Sequence, residues 1–168
     1  MSGTRNTVIQ TLSYSFCIEL SRCPSMAPDA TAYSDSQVDM VSWTWNRLVA
    51  IENWQLWMQG VDNVTQLDEG ELARGSHLIL KQGSSRKDCH ISYWEPPKRI
   101  EFVVSSSSRR MGYSFNLGEA IDGMPSTLQL DVEFEYRYWY RLIAPWLARR
   151  ARRDCVRTLD GFRRYISN

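Results

Sequence analysis

The sequence predicts an α+β protein: an antiparallel sheet of about seven strands, curved around one long C-terminal helix. Three observations predict it. Between Arg141 and Ile166, the residues Ile143, Leu147, Ala151, Cys155, Leu159, Phe162 and Ile166 recur at steps of three and four, which is one apolar stripe on a 3.6-residue helix. From Val61 to Tyr138 the text is instead strand and turn, with side chains alternating at period two. A stripe that long needs an equally long apolar partner, and in a chain otherwise made of strands the partner is a sheet wrapped around it.

Each element has its own signal. Val8, Leu12, Tyr14, Phe16, Ile18 and Leu20 share one parity, a strand with one buried face. Residues 21–36 hold two prolines and many small polar residues and read as a loop longer than a tight connection needs. Asp35 or Ser36 can cap a helix running to about Leu48, with Val38, Val41, Trp45 and Leu48 three or four apart. Strands are then expected at Asn63 to Leu67, Ser76 to Gln82, Asp88 to Glu95, Arg99 to Ser106, Arg110 to Ala120 and Thr127 to Tyr138. Pro96-Pro97 ends the third of these, because proline cannot continue the ladder, and Asp122-Gly123 signals a hairpin. Pro145 opens the last helix where its missing N–H costs little. Residues 1–168 are read as one domain with an unusual loop at 21–36.

Composition narrows the function classes. Net charge is +1, so nothing global favours nucleic acid, and the arginines of the last helix are not interleaved with aromatics. Those arginines read first as a solvated face, and second as a contact for an acidic partner or an anionic membrane surface. No window approaches 18 consecutive apolar residues, so no spanning helix is expected. The N-terminal stretch lacks the charged and apolar runs of a signal peptide. Cys17, Cys23, Cys89 and Cys155 have no metal-ligand spacing and read as buried free thiols, so the expected location is the cytoplasm. A homodimer is left open. Seven Trp and eight Tyr are more than usual; they can fill a core, and they also suit the wall of an apolar cavity.

Four segments then carry a likeness. Glu52 to Val61 (ENWQLWMQGV) resembles the ENWPRWMPGV segment of the START-like, helix-grip superfamily, which includes polyketide cyclases and dehydrases, lipid-transfer proteins and the Bet v 1 allergens. Leu72 to Ser76 (LARGS) with the strand after it, Tyr93 to Ile100 (YWEPPKRI), and Ala144 to Arg149 (APWLAR) with Arg153-Asp154 continue the resemblance, which spans about Val38 to Tyr165. Residues 21–36 depart from it. The resemblance implies an elongated cavity between the concave face of the sheet and the last helix.

Inward parity then gives Tyr14, Phe16, Leu78, Leu80, Gln82, Phe102, Tyr113, Phe115, Phe134 and Tyr136 as its lining, with Trp54, Trp57 and Met58 as a lid at one end. Tyr113 and Tyr136 are the expected catalytic phenols and Gln82 a further carbonyl donor. His90 is the candidate acid or base, although alternation sets it opposite Cys89, Ile91 and Tyr93; His77 shares the parity of Ile79 and Lys81 and should face solvent. Glu133, Asp131, Arg110 and Asn116 fall on the outward parity. No Ser/His/Asp triad, phosphate loop or metal cluster is legible, and no cofactor is expected. The leading expectation is a cofactor-independent cyclase for a hydrophobic polyketide- or terpenoid-type intermediate. It would work by pericyclic (Diels–Alder-like) or aldol/dehydrative closure, and sparse acid/base groups tilt toward the pericyclic route. The alternative is a carrier of a hydrophobic lipid or metabolite; an arginine-mediated membrane adaptor comes third.

Overall fold

A computed structural model describes residues 10–20, 35–106, 109–118, 127–136 and 144–167, with backbone only at residues 10–12, 35–39, 136 and 144. Seven strands are present: β1 (Gln10–Glu19), β2 (Asn63–Gln66), β3 (His77–Gln82), β4 (Ser85–Glu95), β5 (Arg99–Ser105), β6 (Arg109–Gly118) and β7 (Thr127–Tyr136). The helices are α1 (Asp35–Val49), the single turn α2 (Trp54–Trp57) and α3 (Ala144–Ser167). Most of the 21–36 loop, the Asp122-Gly123 hairpin, Val8, Cys23 and Ile143 lie outside the described residues.

The strands form one antiparallel sheet in the order β1-β7-β6-β5-β4-β3-β2. Period-two alternation sets its two faces. One inward row runs Tyr14, Val132, Tyr113, Phe102, Ile91 across five strands, and the next runs Phe134, Met111, Val104, Cys89, Leu78. α3 buries the predicted stripe against this face: Ala151, Cys155, Leu159, Phe162 and Ile166 are all buried, while Arg149, Arg152, Arg163 and Arg164 are exposed. This is the helix-grip arrangement.

One local feature shifts the pattern. The β4–β5 register slips between Ile91 and Tyr93, a β-bulge that inserts one residue into β4. Trp94 therefore turns inward, pairing with Ile100 and meeting Trp45 of α1 at 5.2 Å between ring centroids, and Tyr93 turns out to solvent. Alternation from Cys89 had placed Tyr93 inside. Cys17 is a second correction: it is exposed on the outer face, whereas Cys89 and Cys155 are buried free thiols.

α2 presses on the C-terminal half of α3. A Cβ at Gly161 would lie 2.5 Å from the Trp57 carbonyl oxygen, so only glycine lets the two backbones approach this closely. Nearby, the backbone N–H of Gln59 donates to Thr158 Oγ1 at 3.2 Å. These contacts seat one end of α3 firmly on the sheet and leave its N-terminal half to roof a space.

Candidate functional site

That space is a cavity of about 530 Å³. Its floor is the inner face of the sheet, with Leu80 and Gln82 from β3, Lys87 from β4, Val104 from β5, Met111, Tyr113 and Arg109 from β6, and Phe134 from β7. Its roof is α3 from Trp146 to Thr158, and Met58, Gln59 and Gly60 close one side.

The cavity is amphipathic, not the aromatic chamber that composition suggested. Val104, Met111, Tyr113, Phe134 and Cys155 form an apolar end. Gln82, Lys87, Arg109, Arg150, Arg153, Asp154 and Arg157 supply polar and charged lining, and Leu80, Trp146, Leu147 and Ala151 further apolar surface. Lys87 lies two inward rows from Tyr113, about 13 Å along the strand direction at ~3.3 Å per residue. The Lys87 ammonium donates to the Gln82 side-chain oxygen across the β3–β4 hairpin. Burial lowers Lys87 to about 8; Arg109 and Arg150 push the same way, and Asp154 opposes them. Tyr113 is stacked on Phe102 at 5.0 Å and lines the cavity. Burial pushes its phenol far up, with Cys155 and Asp154 adding and Arg109 opposing, so it stays a neutral donor. Burial likewise raises the Cys89 and Cys155 thiols to about 12, which removes both as thiolate nucleophiles.

A family model described as "Polyketide cyclase / dehydrase and lipid transport" matches residues 41–167. The chain belongs to that family. No curated protein matches the sequence. Among solved structures, the di-domain ARO/CYC StfQ from the steffimycin biosynthetic pathway is similar at a TM-score of 0.65 and 7% identity. The match covers 93% of this chain and 50% of StfQ. Ara h 8.0201 is similar at a TM-score of 0.63 and 11% identity, covering 96% and 100% of the two chains. A START superfamily protein from Mycobacterium smegmatis follows at 0.58 and 13%, covering 90% and 94%. At these identities the structures establish the shared fold, which matches the START-like resemblance read from the four segments.

Within this member of the polyketide cyclase / dehydrase and lipid transport family, five residues named from sequence reach the cavity: Met58, Leu80, Gln82, Tyr113 and Phe134. Trp54, Trp57, Phe102 and Phe115 do not line it. They are buried in a ring network with Phe162, in which Trp54 meets Phe102 at 4.7 Å and Trp57 meets Phe162 at 4.9 Å. Trp54 Nε1 donates to the Leu48 carbonyl at 2.8 Å, which ties the ring to α1 instead of offering it to a ligand. Tyr14 and Phe16 stack on each other at the β1 edge, partly buried and outside the cavity. Tyr136 is placed by its backbone at the end of β7, opposite Arg109; its side chain lies outside the described part.

His90 is a correction. It sits on the outer face, registered with His77 and Val103, its ring 6.4 Å from that of His77. Burial lowers its pKa, and Arg110 and His77 lower it further. It cannot reach a ligand in the cavity through the sheet.

Sequence reasoning missed Lys87 and Arg109, the two cations on the inner face. The signal was present. Lys87 shares the parity of Cys89 and Ile91, and Arg109 that of Met111, Tyr113 and Phe115. Each lies one residue before the start expected for its strand, and an inward cation runs against the rule that inward means apolar.

Proposed function

We propose that this protein is a cofactor-independent cyclase that closes a ring in a hydrophobic polyketide- or terpenoid-type intermediate by aldol or dehydrative chemistry. Family membership supports a cyclase or ligand-binding role, and a structural neighbour carries ARO/CYC in its name. The observation that favours acid/base closure over a pericyclic one is Lys87, lowered to about 8 inside the cavity. A pericyclic reaction needs shape and proximity alone. A lysine poised near working pH is what proton abstraction needs.

Neutral Lys87 would take an acidic α-proton, and the enolate carbon would attack a carbonyl elsewhere in the same chain. The resulting ammonium returns its proton to the new alkoxide; loss of the hydroxyl with a second α-proton, as water, completes the dehydrative case. Gln82 holds the lysine in place. Tyr113, deeper in the cavity, donates to a carbonyl farther along the substrate and sets which atoms meet.

Carriage of a hydrophobic lipid or metabolite is the second reading, favoured by the same division of the cavity into an apolar and a charged end. A turnover count separates the two. Purified protein is incubated with lipophilic intermediates, and products are counted by liquid chromatography and mass spectrometry. Many molecules per protein of a product lighter by water, with Lys87→Met at less than about a hundredth of the wild-type rate, is the expected result. An isomer of unchanged mass formed equally fast by Lys87→Met would make the closure pericyclic. A compound retained at about one per protein and recovered unchanged would make this a carrier.

A further inference from the structure

We infer that the cavity's ligand carries an anionic group, bound by Lys87 and Arg109 from the sheet and Arg150 from α3, with its apolar body directed toward Tyr113 and Phe134. The inference deepens the ligand-binding reading and rests on it: in a carrier all three cations hold the anion, and in a cyclase Arg109 and Arg150 hold it and leave Lys87 free to act as the base.

The cavity is lined by five cations and one carboxylate, Asp154. Among the described residues the ion pairs within 4.0 Å are Arg99–Glu101 and Arg110–Glu135, both on the outer face; none engages a cavity cation. The roof arginines are exposed and can be left to water. Lys87 and Arg109 cannot be dismissed so simply. They project from the concave face of the sheet and are half-buried, where charge is costly without a partner. Among the described residues Lys87 finds only the neutral amide oxygen of Gln82. Arg109 and Arg150 each act on Lys87 as like charges, so the three cations converge with a net repulsion that Asp154 offsets in part. A carboxylate or phosphate placed among them would relieve that repulsion and accept charge-assisted hydrogen bonds from a guanidinium fork and an ammonium.

Next to this cluster, one and two rows further along the same strands, the lining is Val104, Met111, Phe134 and Tyr113, with Cys155 above them on α3. That end offers area for an alkyl or polyketide body and, since both nearby thiols stay protonated, no second charge. An amphiphile with one anionic end is the class that fits both halves. A cation would meet repulsion at the cluster.

The test uses the full chain and three probes of ten carbons each: decanoate, decyl phosphate and decanol. Each is titrated at pH 7 against protein preloaded with the neutral dye Nile red. Decanoate or decyl phosphate should displace the dye at least about tenfold more tightly than decanol. Which of the two anions binds better identifies the head group. In Lys87→Gln/Arg109→Gln that preference should fall below about threefold while decanol affinity holds. If the double variant does not fold, the single Arg109→Gln carries the same comparison. Equal binding of decanol and the anions by wild type would overturn the inference while leaving the cavity as a ligand site. Retained selectivity in a folded variant would assign the charge to the exposed α3 arginines and overturn the assignment to the sheet. Failure of all three probes to displace the dye would remove the ligand-binding reading itself.

Discussion

One half of the concave face is solid and the other hollow, although the same strands build both. Around α2, Trp54, Trp57, Phe102, Phe115 and Phe162 pack ring against ring with centroids 4.7 to 6.0 Å apart, and no space remains for a ligand. Toward the β3–β4 hairpin the inward positions pass to Gln82, Lys87 and Arg109, and the helix above stands off far enough to leave about 530 Å³. Rings attract one another through area and edge-to-face geometry, so an aromatic cluster closes on itself. Charged side chains resist dehydration, so a region that holds several cannot close. In this protein charge on the inward parity marks the site, and aromatic content marks the core.

Substitutions should separate the two halves cleanly. The largest effect belongs to the solid one. Trp54→Ala removes a fully buried indole and its hydrogen bond to Leu48, and should cost about 3–5 kcal/mol in chemical denaturation. Nile red affinity measured below the unfolding transition should stay within about threefold, because the ring does not line the cavity. A folded Trp54→Ala with no dye binding would erase the division. In the hollow half, Tyr113→Phe should lower kcat/KM by about 10- to 100-fold and change stability by under ~1 kcal/mol. Equal losses of stability and turnover would return Tyr113 to the core.

Gly161→Ala tests how α2 holds the boundary. The added methyl meets the Trp57 carbonyl, so α3 must lift, at a cost of about 1–3 kcal/mol read as a lowered Tm.

The smallest effect has the opposite sign. Lys87 in the folded protein titrates near 8 against an ordinary 10.5, so between those values the native state binds fewer protons than the unfolded chain. Stability therefore rises with pH across that window, and the burden of the charge is fully present below pH 8. Lys87→Met should stabilise by about 1 kcal/mol at pH 7, a figure reduced for solvent screening of a half-exposed group. The gain should fade as pH approaches 10.5. A constant gain from pH 7 to 10.5 would mean that packing, not charge, limits this position.

The architecture was almost fully legible. Seven strands and the α3 stripe follow from periods of two and 3.6, which are local properties of the backbone and survive in any tertiary setting. The site was half legible. Parity correctly turned Leu80, Gln82, Tyr113 and Phe134 inward, but it cannot say whether an inward residue meets another side chain or a void. Phe102 and Phe115 share their parity with Leu80 and Phe134, and only the position of α2 decides that the first two are packed over. Tyr93 shows the other failure, whereas His90 obeyed alternation against the catalytic role assigned to it. The bulge after Ile91 has no signature in the residues themselves, and a histidine placed outward by alternation stayed outward.

By itself the chain determined its strands, its long helix and the face each presents, because those follow from spacing between neighbours in sequence. The tertiary structure alone decided where the concave face is filled. That depends on Gly161 letting α2 sink against α3, and on two inward cations, Lys87 of β4 and Arg109 of β6, that share the cavity with Arg150, 63 and 41 residues later in the sequence. A cavity is a mismatch between surfaces distant in sequence, and no single stretch of residues encodes one.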